Sequence, residues 1–262
     1  MNVIVCLKQV PGTTNVKVNP QTNTLIRQGV ENVINPFDTY ALEEGVRTKE
    51  RYGEGKVTAM SMGPPQAEAV MREAISLGAD EAVLLSDKAF AGADTWATAY
   101  TLAQAINKIG QHDIIICGRQ TIDGDTGQVG PELAEILEIP FVAYVSQIEE
   151  IADGRIRVQR MVEEGHEVIE SSLPAVITVV KEINVPRLPS LRGITRSKSA
   201  LVAIWSAREI GVDESRVGLA GSFTKVIKVF FPQRVSQSEV FQGEMESQVD
   251  CLIDRLKDTG LT

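Results

Sequence analysis

Basic residues, histidines, aromatic rings and paired cysteines are all scarce in this 262-residue chain, and each shortage removes a class of function. The 26 lysines and arginines are outnumbered by 35 aspartates and glutamates, leaving a formal charge of -9. That is the wrong sign for a surface that tracks a phosphate backbone, so no nucleic-acid partner is expected. The three cysteines, Cys6, Cys117 and Cys251, lie far apart and form no CxxC pair; neither a disulfide framework nor an iron-sulfur cluster is indicated, and the usage suits a reducing cytoplasm. His112 and His166 are the two histidines. The first precedes an apolar run and the second falls in an expected hairpin, so both read as surface or structural residues, and no catalytic residue is assigned. The opening run of MNVIVCLKQV is too short for a signal-peptide centre or a membrane span, which leads to the expectation of a cytoplasmic protein without membrane insertion. GxGxxG, the Walker sequence GxxxxGK[ST] and the SGGxDS loop of adenylating pyrophosphatases are all missing, which removes the standard NAD-binding half and the P-loop. Any chemistry then belongs to a cofactor.

What is present is aliphatic: hydrophobic residues make up 43% of the chain and aromatic ones 5%. VIVCL at residues 3–7, KVTAMSM, EAVLL and DIIIC are apolar runs of the kind that form parallel strands buried on both faces. Between them DTYALEEGVRTKERYG, QAEAVMREAISLG and DTWATAYTLAQAINKIG carry helical spacing, with glycines as stop signals. The alternation predicts an α/β fold, a Rossmann-like, doubly wound, mostly parallel sheet, and places ligands beyond the carboxyl ends of the strands. A hairpin is expected at Asp153-Gly154, a pair suited to tight turns, and LPAVITVVKE supplies a further strand.

The loop in DIIICGRQTIDGDTGQVG, residues 113–130, leaves one such strand. It carries Gly124, Gly127 and Gly130 with Asp123 and Asp125. As a calcium loop it fails, because position twelve counted from Asp123 is Ala134 rather than a bidentate glutamate; no metal is expected. As an anion cradle it is well formed: glycines let the backbone approach, Pro131 suits a first helical turn, and the amides of Gln128 to Gly130 would face a ligand with the positive end of the helix dipole. The two aspartates suit ribose hydroxyls better than phosphate. An ordinary strand-to-helix turn fits the local pattern as well. In GADTWAT, Asp94 or Thr95 is placed to cap the following helix.

VPRLPSLRGITRSK, residues 185–198, combines prolines and basic residues without an acid. Its prolines predict an extended segment, which composition alone allows to be a solvated linker. Near the C-terminus Met245, Val249, Leu252, Ile253 and Leu256 share one helical face that has to be covered by its own domain or by a partner.

Taken together, VCLKQVP, NPFDTYALEE, SMGPPQAEAVMREAISLGAD, GRQTIDGDTGQVGPELAE and VPRLPSLRGITRSK resemble, in order and over nearly the whole chain, the β subunit of an electron-transfer flavoprotein. The resemblance implies a nucleotide (FAD)-binding α/β domain over residues 1–185, a partner-recognition loop at 186–199 and a C-terminal arm at 200–262 that packs on the α subunit. It implies an adenine-nucleotide site contacted by Cys6, Asn35, Pro36, Phe37, Asp38, Met62, Gly63, Asp94, Thr95 and Thr98. The same site takes in Gly118, Arg119, Gln120, Thr121, Ile122, Asp123, Gly124, Asp125, Thr126, Gly127, Gln128, Val129, Gly130 and Pro131. One branch of the family holds AMP there as a structural ligand and typically reads DDDCNQTGQ. The electron-bifurcating branch holds a second FAD that accepts hydride from NADH, and DGDTGQVGP is similar to that form, with Gly127 where many members have alanine. The implied partners are the α subunit, an acyl-CoA-dehydrogenase-type enzyme docked through Leu191 with Arg187, Arg192, Ile194 and Arg196 around it, and ferredoxin as low-potential acceptor. A non-bifurcating carrier with AMP, and a universal-stress-type nucleotide module without redox function, are the alternatives.

Overall fold

The computed structural model describes residues 1–12, 17–18, 25–26, 32–227 and 238–260. In chain order its strands are β1 (Val3–Cys6), β2 (Gln9–Pro11), β3 (Lys17–Val18), β4 (Leu25–Ile26), β5 (Asn32–Ile34), β6 (Val57–Met62), β7 (Glu81–Leu85), β8 (Ile114–Gly118), β9 (Phe141–Ala152), β10 (Arg155–Val162), β11 (Gly165–Ser172), β12 (Ala175–Val179) and β13 (Val202–Trp205). The α-helices are α1 (Pro36–Tyr52), α2 (Glu68–Leu77), α3 (Thr95–Ile109), α4 (Val129–Leu137), α5 (Leu191–Ser199), α6 (Ala207–Ile210) and α7 (Met245–Asp258).

Nine strands form one sheet in the order β11-β10-β9-β12-β8-β1-β6-β7-β13. From β9 to β13 all neighbours are parallel, while β10 and β11 extend one edge as antiparallel strands. Helices cover both faces, and the pleat of β1 shows why: Val3 and Val5 pack with Leu42 and Val46 of α1 and Val70 of α2. Ile4 and Cys6 point the other way, into Ala99 and Ala103 of α3 and Leu133 of α4. A strand covered on both faces has no position for a polar side chain, hence the aliphatic runs. The β9–β10 turn places Asp153 at φ 51° and Gly154 at φ 72°, the two positive angles that an Asp-Gly hairpin turn requires.

One compact unit extends from Met1 to Ile227. Val202–Trp205 pairs in parallel with β7 as an edge strand and ties the following residues to the sheet. Residues 228–262 form a separate unit. In it Met245, Val249, Leu252 and Ile253 of α7 are exposed and Leu256, on the same face, is half-buried.

The proline-basic segment also differs from its reading as extended chain. Only its first part is extended; from Leu191 to Ser199 it is helical. The last proline is Pro189, and Ser190 then caps α5 by accepting the Gly193 N–H at 3.0 Å, so nothing opposes the helix. Two of its three arginines, Arg187 and Arg196, are tied to the body. Arg187 Nε lies 2.7 Å from Glu43 Oε2 and its Nη1 2.8 Å from Glu50 Oε1, which raises the guanidinium's pKa further through those hydrogen bonds. Arg196 donates to the carbonyls of Ile75, at 2.9 Å, and Ala79. Arg72 reaches back from α2 to the Ser197 carbonyl at 2.8 Å. Arg192 is exposed and Ile194 partly so, and Leu191 stands 86% exposed beside the equally bare Leu188 and Val185.

The seat of α5 is a close backbone approach. A Cβ on Gly193 would lie 2.2 Å from the Ser76 carbonyl oxygen, and backbone atoms cannot yield to it as a flexible side-chain tip would. Gly193→Ala should therefore lift α5 off α2 while the sheet is unaffected. Amide exchange checks this: faster exchange in residues 190–200 with unchanged protection in β1, β6 and β8 is expected, and unchanged protection of α5 would refute the seating argument.

Candidate functional site

The sheet changes direction at β1: the chain proceeds from β1 to β6 and β7 on one side, then places β8 and β12 on the other. Such a switch opens a crevice beyond the carboxyl ends of the two central strands, here where Cys6 and Cys117 face each other in register. The start of α1 closes the bottom of that crevice. Asn35 is completely buried; its N–H bonds the Lys8 carbonyl at 2.8 Å, its amide donates to the Gln120 carbonyl at 2.9 Å, and its Oδ1 accepts the Ile122 N–H at 3.1 Å. Asp38 Oδ2 accepts the Lys8 N–H at 2.7 Å. A Cβ on Gly118 would stand 2.4 Å from Asp38 Oδ1, so only glycine lets the end of β8 meet α1. Burial pushes the Asp38 carboxyl up to about 7, against the opposing pull of the Asn35 amide, the Lys8 N–H and the Lys8 charge. The Cys117 thiol is raised by its hydrogen bond with Cys6 and by burial, so it is an inert part of the floor rather than a nucleophile.

Above this floor lies a cavity of about 1450 Å³. Of the residues singled out in the sequence, Cys6, Asp38, Met62, Gly63, Asp94, Thr95, Thr98, Gly118, Arg119, Gln120, Thr121, Gly124, Thr126, Gly127, Gln128, Val129 and Gly130 line it. Asn35, Pro36, Phe37, Ile122, Asp123, Asp125 and Pro131 are not on its wall. The two aspartates bond other side chains. Asp123 Oδ1 lies 2.8 Å from Lys8 Nζ, and although partial burial works upward, the Lys8 ammonium holds its carboxyl below the usual range. Asp125, at φ 54°, accepts from the Gln120 amide. Phe37 lies against the guanidinium of Arg119, 5.5 Å from ring centre to Cζ. Gly127 sits at φ 65°, a left-handed conformation that strains any L side chain.

Two helix N-termini converge here and are finished differently. Asp94 caps α3 by accepting the Ala97 N–H at 3.0 Å, while α4 begins with no side-chain cap and leaves its first-turn amides available to an anion. Asp94 has a second task. It accepts the Thr224 N–H at 2.9 Å and its hydroxyl at 3.1 Å, tying down a strap whose Phe223 ring lies 6.2 Å from that of Trp96. Phe223 and Thr224 thereby join the wall. Thr95 donates to Glu132 Oε1 at 3.0 Å. Lys8, Lys88, Arg119 and the open end of α4 share the cavity wall with Asp87, Asp94 and Glu132.

Sequence reasoning missed Lys8, Trp96, Glu132, Phe223 and Thr224 as lining residues. Lys8 two positions beyond β1, and Glu132 one turn beyond Gln128, were accessible from strand and helix geometry. Nothing local to Phe223 and Thr224 points to a residue 130 positions away.

The raised Asp38 carboxyl has a definite sign. Its folded pKa of about 7 exceeds the unfolded value of about 3.9, so the folded chain binds more protons between those limits and stability falls as pH rises through the window. Thermal melting of the wild type against Asp38→Asn should show the wild type losing ground from about pH 4 to about pH 7. A difference between the two that stays constant with pH would contradict the burial argument.

Comparison with known proteins agrees with this architecture. The electron transfer flavoprotein domain profile matches residues 22–210. The chain is 50% identical over 257 residues to the electron transfer flavoprotein subunit beta of Thermoanaerobacterium thermosaccharolyticum, covering 98% of each. It is 44% identical over 259 residues to the caffeyl-CoA reductase-Etf complex subunit CarD of Acetobacterium woodii, again covering 98% of each. Protein FixA of Azorhizobium caulinodans is 42% identical, with 97% of this chain and 92% of that one aligned. A crevice at the switch point of a parallel sheet, with end-to-end similarity to these β subunits, leads to one conclusion: the chain belongs to the electron transfer flavoprotein family, as a β-type subunit that works in electron transfer with an α-subunit partner.

Proposed function

We propose that the cavity binds FAD, and that the chain acts with its α subunit to take hydride from NADH and divide the electrons between a low-potential acceptor of the ferredoxin type and a dehydrogenase-type partner. The observation that carries this reading is the extent of the cavity. At about 1450 Å³ it exceeds the roughly 300–1,000 Å³ typical of small-molecule sites, and it continues from the switch-point crevice past the N-terminus of α4 to Thr95, Thr98 and the strap. An AMP molecule would occupy only the crevice end.

The residues present fit the group. Lys8 and the uncapped amides of α4 would meet a diphosphate, and the glycines at 124, 127 and 130 keep side chains out of its way. Leu7, Met62 and Trp96 supply apolar wall for ring systems. Bound flavin supplies hydride acceptance and one-electron release; the chain's own residues position it, shield it from water and hold charge around it. The name of the caffeyl-CoA reductase-Etf relative favours a partner acting on a CoA thioester. Leu191, Leu188 and Val185 on an anchored but uncovered segment form the apolar patch such a partner would meet, and the bare stripe of α7 suits the α subunit.

Co-production with the α subunit and acid release of ligands tests the cofactor: two FAD per heterodimer are expected, with bleaching of both by NADH, whereas one FAD and one AMP would overturn the bifurcating assignment. Leu191→Ala should slow reduction of the partner dehydrogenase roughly tenfold or more, as for a buried interface anchor, with flavin content unchanged. Loss of flavin in that variant would make Leu191 a structural residue instead.

A further inference from the structure

The strap that carries Phe223 and Thr224 is attached in two unequal parts. Up to Gly221 it is seated on the body: Val217 is buried in the core, and the Leu219 N–H bonds the Ala91 carbonyl at 3.0 Å. A Cβ on Gly218 would stand 2.0 Å from the Ala89 carbonyl oxygen, a backbone-to-backbone approach that fixes the root of the strap.

From Ser222 onward the attachment narrows to Asp94. The Asp94 N–H donates to Ser222 Oγ at 2.8 Å, and its Oδ2 accepts both the N–H and the hydroxyl of Thr224, at 2.9 and 3.1 Å. Among the described residues the further ties are a long bond from Ser222 Oγ to the Gly92 carbonyl, 3.4 Å, and the tilted contact of the Phe223 ring with Trp96. Phe223, Thr224 and Val226 line the cavity, yet Phe223 is 84% and Val226 77% exposed. A stretch that buries so little apolar surface opens at small cost once its few polar bonds break.

The Asp94 carboxylate divides its oxygens between two structures. Oδ1 caps α3 through the Ala97 N–H, and Oδ2 holds the strap. Although burial works upward, the bonds from Ala97 and Thr224 keep this carboxyl below its ordinary range, so it stays an ionised, strong acceptor at neutral pH. Because the cap uses the other oxygen, the strap can leave Oδ2 without unwinding α3.

We propose that Ser222–Thr224 is a clasp that closes over the nucleotide bound in the cavity and sets the rate of its exchange, opening about Gly221 when the bonds to Asp94 break. The assignment rests on the reading of the cavity as a nucleotide site and holds for FAD or AMP alike. A clasp acts on the barrier rather than on the bound state. Closed, it impedes entry as well as exit, so weakening it speeds association and dissociation together and leaves the affinity nearly as it was.

The test uses the heterodimer co-produced with the α subunit, as wild type, Thr224→Val and Ser222→Ala. The first variant removes one donor to Asp94 while keeping the shape of the wall; the second removes the acceptor of the Asp94 N–H. Exchange is followed with labelled FAD and, separately, labelled AMP, the signal of this cavity being the phase that excess unlabelled AMP displaces. Both variants should speed association and dissociation by about tenfold, the change that goes with losing one charge-assisted hydrogen bond, while Kd moves far less than either rate. A rise in dissociation alone, with affinity lost in proportion, would make these residues ligand contacts and overturn the clasp. Rates unchanged from the wild type in both variants would overturn it as well. Exchange of AMP without any of FAD would overturn the FAD assignment only, and the AMP rates then decide the clasp. A wild type in which neither nucleotide shows the displaced phase would overturn the reading of the cavity itself, and the clasp with it.

Discussion

The meeting of α1 with the ends of β1 and β8 is the constraint on which the site depends. Parallel strands end in unpaired backbone, and at a switch point the two central ends diverge, so something polar has to complete them inside the protein. Asn35 and Asp38 do this with side-chain bonds to residues 8, 120 and 122. The arrangement demands that the helix start within van der Waals contact of the strand end, hence Gly118. It also demands a carboxyl in a nearly waterless place, hence the raised pKa of Asp38. The floor of the cavity, the exit of the glycine loop and the position of Lys8 all follow from that single junction.

Charged groups on the cavity wall are tied to neighbours. Lys8 is held by Asp123, Arg119 lies by the rings of Phe37 and Tyr144, and Asp94 and Glu132 accept hydrogen bonds from Thr224 and Thr95. Elsewhere arginine is a structural tie. Arg72, Arg187 and Arg196 each join α5 or its approach to the body through carboxylates or carbonyls, which leaves the apolar tips of that segment exposed together with Arg192. Guanidinium groups suit this work because their several fixed donors satisfy more than one acceptor at once.

How much of this was legible depended on whether the cause was local. VIVC, EAVLL and IIICG read as strands because double-sided burial excludes polar residues, and the Asp153-Gly154 turn read directly from its backbone preference. The glycine loop and the Asp94 cap were legible for similar reasons. The helix α5 was not, since two prolines suggested extended chain while the deciding signal was the single serine after them. The inward turn of Arg187 and Arg196 was equally hidden, because their acceptors lie on α1 and at the end of α2. Asp123 and Asp125 were read as facing ribose hydroxyls on chemical type alone; their hydrogen bonds with Lys8 and Gln120 could not be read from the sequence. Edge strand β13 and the strap at Phe223 owe their places to β7 and Asp94, far away in sequence.

Helix α1 has a further significance. Its first turn floors the cavity through Asp38, and farther along the same helix Glu43 and Glu50 grip Arg187 at the root of the exposed leucine segment. Seventeen residues of α-helix make a rod of about 25 Å, stiff on the scale of either attachment. The two regions that would meet different molecules are thus fixed to one beam, and their spacing is a property of a helix rather than of a loop.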